Sequence, residues 1–334
     1  MYRTFLSLFV STIAFAAVQK GEWTLSQSED LGKVRLFLQS DRDGNHSFNS
    51  SSDWNTSELK GLDWETAGKH DVRFTIARSA GTVECDGFLK DGSGAGLFTF
   101  HGNPQYSREM AALGFPGVED ENLFAYTIHD VSLDFVRAIK SAGITNVDKD
   151  KLIAFRIHGV SPEFVRDIHA AGVQTVDSEK LIAFRIHGVS PEFVKDLRTA
   201  GVGTTDPEKL IAFRIHGVSP EMIRSVKQAG YEPVPDKLIA MRIHGATPEW
   251  VAELKKQGYD HVDLDKLIAF RIHGVSPDFI GQLQKLGYSH PEPDQLIAMR
   301  IHGVTPDFIT GLQSRGMKNL SIDQLVSLRI HGID

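Results

Sequence analysis

The sequence predicts an α+β protein in which a small antiparallel β domain is followed by an α-solenoid of two-helix repeats. Three observations carry that expectation. The stretch LIAFRIHGVSPEFV at Leu152–Val165 recurs letter for letter at Leu181–Val194, and edited copies begin at Leu210, Leu238, Leu267 and Leu296. The histidines His129, His158, His187, His216, His244, His273, His302 and His331 fall 29 residues apart with one gap of 28, and self-similarity at such a period marks a stacked array. Ahead of the array, from Gly21 to Gly102, β-favouring residues alternate or cluster with period two.

In chain order, Arg3 precedes a short apolar run, Thr4–Ala16, that closes on Ala14-Phe15-Ala16. This pattern predicts a signal peptide over residues 1–17. The run is short for a membrane span, which needs about 20 apolar residues. An antiparallel β domain is expected over 18–106, with strands at Lys33–Gln39, Asp71–Arg78, Gly81–Leu89 and Gly96–Gly102 among five or six in a sandwich or roll. The serine-rich stretch His46–Glu58 fits either a polar strand or a loop. Asp41–Ser52 starts like a calcium loop but has His46 where the EF-hand bend needs glycine and Ser52 where it needs a bidentate glutamate, so a polar turn is expected. The glycines of Gly92–Gly96 fit a hairpin turn. Residues 107–121 are expected to link this domain to a repeat domain over 122–334, built of seven units and a closing helix near Leu325–His331.

Each unit punctuates itself as two short helices. Between Val176 and Gly201, Asp177 caps the first helix and Gly188 stops it. Ser190 caps the second, Pro191 takes the first helical position, where no N–H is needed, and Gly201 ends it. In the one shortened unit the deletion near Val234-Pro235 removes the acidic cap. Helices of about ten residues are marginal alone because nucleation is costly. The apolar face Phe193, Val194, Leu197 and Ala200 therefore needs neighbours, which stacking supplies.

Within the signature, Leu181, Ile182, Phe184 and Ile186 define an apolar arc that encloses Arg185. A half-buried arginine is expected to need a carboxylate, and one acid recurs in the second position of each second helix. The expectation is an Arg–acid ladder joining Arg156, Arg185, Arg214, Arg242, Arg271 and Arg300 to Glu163, Glu192, Glu221, Glu249, Asp278 and Asp307. The repeated histidines have no second ligand at metal spacing, so helix capping is expected of them and no metal or cofactor.

The unit Asp263–Tyr288, DLDKLIAFRIHGVSPDFIGQLQKLGY, resembles a tandem repeat of exported soil-bacterial proteins and of the tails of membrane metallopeptidases of the beta-lactam-sensor type. Val72–Tyr106 looks like the β module that precedes such repeats. The resemblance implies a repeat-bearing envelope protein, periplasmic or extracellular. Peptidase activity does not carry over, because the chain has no His-Glu-x-x-His. The helix–HGVS–helix turn also resembles the helix-hairpin-helix motif, which would imply phosphate or nucleic-acid contact. Here Ser or Thr replaces that motif's second glycine, and Pro191 removes a donor.

With 36 basic and 43 acidic residues the net charge is −7, so no basic surface advertises a nucleic-acid partner. No Ser/His/Asp set or paired-carboxylate site stands out, and a non-enzymatic scaffold that binds a protein or peptide is expected. A regulatory or sensor accessory of an envelope peptidase system is the other alternative. Variable positions on the outer second helix (Lys195, Arg198, Thr199) and exposed loop tyrosines (Tyr231, Tyr259, Tyr288) are the expected contacts.

Overall fold

The computed structural model describes residues 18–42, 46–174 and 176–333. The expected signal peptide and the tip of the calcium-like turn lie outside them. Six strands follow one another: β1 (Val18–Gln27), β2 (Lys33–Arg42), β3 (His46–Asn55), β4 (His70–Arg78), β5 (Gly81–Lys90) and β6 (Ser93–Gly102). They make one antiparallel sheet in the order β3-β2-β1-β6-β5-β4, two meanders joined through β1 and β6.

The undecided serine-rich stretch is therefore the edge strand β3. Its inward register carries Phe48, Ser50, Ser52 and Trp54 opposite Ser40, Leu38, Leu36 and Val34. The two serines interrupt the apolar alternation and hide the strand from a pattern search, while Trp54 is buried and donates its indole N–H to the Ser52 hydroxyl at 2.8 Å. The β5–β6 hairpin turns on Asp91 and Gly92, both with positive φ (49° and 77°), as a two-residue turn of that hand requires. Gly94 and Gly96, expected in the same turn, lie within β6. A side chain at Gly96 would run into the Asp86 carbonyl and the Trp23 indole.

The sheet curls strongly. Trp23 on β1 meets Phe74 on β4 edge-on at 5.1 Å, although three strand steps of about 4.8 Å separate them in a flat sheet. A helix α1 (Pro104–Ala112) occupies part of the expected link, with Tyr106 and Met110 buried. Helix α2 (Asp120–Ile128), the first of the repeat array by sequence, lies against β4, β5 and β6. Its Phe124 ring meets those of Phe48, Phe98 and Phe100 at 4.6, 5.4 and 5.0 Å.

Arg78, the last residue of β4, fixes the end of α2. It donates to the carbonyls of Thr127 and Ile128 at 3.0 and 2.8 Å and covers the Trp54 ring. Asp130 stands in the left-handed conformation (φ 52°) that later units give to glycine. Its carboxylate lies 2.7 Å from the Arg156 guanidinium and 3.7 Å from that of Arg78.

The second helix of this first unit is α3 (Leu133–Ser141). Thereafter the first helices of the units are α4 (Lys149–His158), α6 (Ser178–His187), α8 (Pro207–His216), α10 (Pro235–His244), α12 (Leu264–His273), α14 (Pro293–Ile301) and the closing α16 (Ile322–Ile330). The second helices are α5 (Pro162–Ala170), α7 (Pro191–Ala200), α9 (Pro220–Gln228), α11 (Pro248–Lys256), α13 (Pro277–Lys285) and α15 (Pro306–Ser314). Like stacks on like: α8, α10, α12, α14 and α16 pack in series, as do α7, α9 and α11, and α13 with α15. The chain forms two compact units, Met1–Arg166 with Val176–Ile182, and Asp167–Thr175 with Ala183–Asp334. Both belong to a β domain followed by a helical solenoid.

The caps are those the sequence marks. Asp177 accepts from the Lys180 amide at 2.8 Å, and Ser190 accepts from that of Phe193 at 3.1 Å. Val234 heads α10 with no side-chain cap, so the deletion removes the cap and spares the helix. Gly217 closes α8 at φ 70°, and a Cβ there would lie 2.9 Å from the Arg242 guanidinium of the next unit. Gly217→Ala should cost about 1–2 kcal/mol from the left-handed backbone alone. It should also speed amide exchange in α8 and α10 together, because the same change displaces Arg242; thermal denaturation and hydrogen exchange check both.

Candidate functional site

The last turn of every first helix leaves carbonyls that its own turns cannot pair. The arginine of the following unit supplies the donor. Arg156 donates to the His129 carbonyl at 2.9 Å, Arg214 to His187 at 3.2 Å, Arg242 to His216 at 2.9 Å, Arg271 to His244 at 3.3 Å and Arg300 to His273 at 3.3 Å. Arg329 repeats the joint on Gly303 at 3.1 Å. Most of these guanidiniums also cover an aromatic ring of the preceding second helix: Phe135, Phe193, Trp250, Phe279 and Phe308 lie about 5 Å below Arg156, Arg214, Arg271, Arg300 and Arg329.

This overturns the expected Arg–acid ladder. The arginines are satisfied by carbonyls that already carry the partial negative charge of a helix end. Arg185 is also partnered. The acids Glu163, Glu192, Glu221, Glu249, Asp278 and Asp307 are exposed and stay with their own helices. Glu163 pairs with Arg166 at 3.3 Å and Glu221 with Arg224 at 2.6 Å, one turn along. A bond from its own backbone amide, then one from the capping Ser or Thr hydroxyl, holds each of the Glu163, Glu192, Glu221 and Glu249 carboxyls below the usual range.

A different ion-pair row joins the units. The lysine in the first turn of one first helix reaches the acid in the first turn of the next: Lys151 to Glu179 at 3.1 Å, Lys209 to Asp236 and Lys237 to Asp265 at 2.8 Å, and Lys266 to Asp294. The signal was present as an acid–lysine dipeptide just ahead of five of the six Leu-Ile-Ala copies. Where Gln295 and Gln324 replace the lysine, the side chain turns back to its own N-cap amide.

The tyrosines are also structural. Tyr231, Tyr259 and Tyr288 donate to the carbonyls of Val262, Pro291 and Leu320, each at 2.9 Å and each just before the N-cap of the next first helix. Tyr259 is only 2% exposed, so the expectation of an exposed anchor fails there, while Tyr231 and Tyr288 are half-buried. Arg198 donates to the Ala171 carbonyl at the end of the preceding second helix, as Lys255 does to Ala229. Of the outer-helix candidates, Lys195 and Thr199 keep their exposure without such an inter-unit bond.

One repeated side chain has no such employment. The isoleucine between Arg and His is exposed in unit after unit: Ile157 56%, Ile186 57%, Ile215 55%, Ile243 54%, Ile272 52%, Ile301 54% and Ile330 58%. Ile186 does not close the apolar arc with Leu181 and Phe184, which are fully buried. At about 100° per residue it points about 170° away from the direction midway between those two, an angle the sequence already contained. Half-buried Ala183, Ala212, Ala240, Ala269 and Ala298 lie one turn earlier on the same helix side, and the histidines, exposed except for half-buried His216 and His273, flank it at the C-terminal edge. In the second compact unit this makes an apolar face across consecutive first helices, bounded by the Lys–acid row at their N-terminal ends.

Fold and face together define a class, a helical-repeat protein with a β module and a periodic apolar surface. No protein-family model matches the chain, and no curated protein matches it in sequence. Among the described residues no three His, Cys, Asp or Glu side chains converge as metal ligands. No described helix is long and apolar enough to cross a membrane.

Two measurements probe the joints. Tyr259→Phe keeps the ring but leaves the Pro291 carbonyl without its donor, which should cost about 1 kcal/mol in thermal or urea unfolding. The depressed glutamate pKa values set a pH dependence: their stabilisation is present above the unfolded carboxyl value and lost as pH falls through the lower folded one. The melting temperature should therefore drop on acidification below about pH 5. Replacing Glu163, Glu192, Glu221 and Glu249 together by Gln should flatten that drop.

Proposed function

We infer that this chain is an exported, non-enzymatic interaction protein whose helical array holds a protein partner along the isoleucine face. The observation that supports this reading is the repetition of a half-exposed isoleucine at one position of every first helix from α4 onward. Each such side chain gains about 1 kcal/mol or more when a partner covers it, and a row of them multiplies that gain along one surface, as repeat scaffolds do. Export rests on the N-terminal sequence pattern alone.

The phosphate-binding alternative draws less support from the turn. Its amides are spent internally: Gly188 on the Arg185 carbonyl, Val189 on that of Phe184 at 2.8 Å, and Phe193 on the Ser190 hydroxyl. Capture from an envelope extract on the immobilised full chain, with and without nuclease, tests both. The recovered protein should survive nuclease and fall at least tenfold with Ile215→Asp/Ile272→Asp, whose circular dichroism should match wild type. Lys195→Glu, on the second helix, should leave capture unchanged. Recovery that is indifferent to the isoleucines, or that disappears with nuclease, would refute the reading.

A further inference from the structure

We propose that the isoleucine face pairs with the same face of a second copy of this chain, the two stacks running parallel and their first helices antiparallel. The proposal rests on the reading above, that this face is the binding face, and names its occupant.

Period is the first argument. Packed first helices stand about 9 Å apart, so Ile215, Ile243, Ile272, Ile301 and Ile330 recur at about that interval along the packed series of the second compact unit. A bound β-strand presents one face every ~6.7 Å and a helix lying along the stack turns every 5.4 Å or so, and neither stays in step across five helices. A polyproline segment repeats every ~9.3 Å and keeps step, but it would cover a narrow line of a broad face. A second copy has the same interval by construction and covers the whole width.

Area is the second. A ten-residue helix is about 15 Å long, so the five packed neighbours α8, α10, α12, α14 and α16, about 9 Å apart, offer roughly 700 Å². That is what each partner contributes to an interface of standard size.

Charge selects the orientation. At the N-terminal edge of the face the carboxylates dominate: the Asp236, Asp265 and Asp294 side chains are 72%, 70% and 76% exposed, against 33%, 36% and 39% for the lysines that pair with them. The C-terminal edge holds the histidine row. A two-fold axis running across the stack would set carboxylates against carboxylates. An axis running along the stack sets the carboxylate edge of each copy over the histidine edge of the other, which removes that repulsion. It also brings residues midway along each first helix opposite their own counterparts, at every level of the stack.

Sedimentation equilibrium of the full chain over the micromolar range should give twice the chain mass. Ile215→Asp/Ile272→Asp should weaken the association at least a hundredfold with unchanged circular dichroism. Cys85 is the only native cysteine and is buried, so single cysteines at Ala212 and at Ala298 report contact cleanly. In the parallel arrangement each should form a disulfide with its own counterpart under mild oxidation. Cross-linking at only one position, or at neither, overturns the arrangement. A monomeric wild type whose partner capture still depends on Ile215 and Ile272 overturns self-pairing and leaves the binding face standing. A dimer indifferent to both isoleucines refutes the pairing face itself.

Discussion

A helix of ten residues makes only about six internal pairs and leaves four carbonyls unpaired at its end, and the array is organised around closing those ends. The closure is shared between units. The glycine in Arg-Ile-His-Gly turns left-handed so that the chain can leave the helix, and because it has no side chain the next unit's guanidinium can reach the carbonyl just before it. Gly188 with Arg214 and Gly245 with Arg271 show the fit: a Cβ on either glycine would stand 2.8 Å from the guanidinium. Arginine and glycine in one unit are thus halves of two different joints, one facing back and one facing forward. A lone unit would satisfy neither, which ties the stability of each helix to its neighbours.

The start of the array shows the same constraint met by other means. Helix α2 has the β domain behind it, so Arg78 from β4 takes two of its terminal carbonyls and Arg156 takes a third. Two arginines at one helix end bring excess positive charge, and Asp130 replaces the usual glycine to balance it. Aspartate is among the few residues that tolerate the left-handed conformation there. Between these cations the His129 imidazole is held below its ordinary pKa, first by burial and then by Arg78 and Arg156. The same preference for closing helix ends with cations recurs on the second helices through Arg198 and Lys255.

Helix limits, caps and repeat number were legible because capping residues, prolines and glycines act locally and announce themselves in the sequence. Four of the six strands were legible for the same reason; β1 was not singled out, and β3 was left open between strand and loop because serines occupy its inward positions. Partnerships between units were harder. An arginine's need for a partner is visible in sequence, but a backbone carbonyl has no letter, so an acid was the natural expectation and the wrong one. The tyrosines misled in a similar way: a Gly-Tyr pair looks like an exposed loop, while its hydroxyl targets a carbonyl about 31 residues on. The Lys–acid row and the outward isoleucine were both written in the letters. An arc drawn through every apolar residue of the helix hides the outward isoleucine, whereas the core direction set by Leu181 and Phe184 places it opposite.

The repeats also allow a comparison within the chain. The buried aromatic position of the first helix is Phe in Phe155, Phe184, Phe213 and Phe270, but becomes Met241, Met299 and, half-buried in the closing helix, Leu328. The exposed position two residues later is isoleucine in all seven of those helices. Core positions usually tolerate least, since volume must be matched, and a surface position away from contacts accepts most substitutions within about 0.5 kcal/mol. Here the order is inverted. Isoleucine gains nothing at that position from helix propensity, where alanine or lysine is better, and it leaves apolar surface in water. The exposed isoleucine row is thus a cost to the isolated array, and covering it is what the partner proposed for this face would supply.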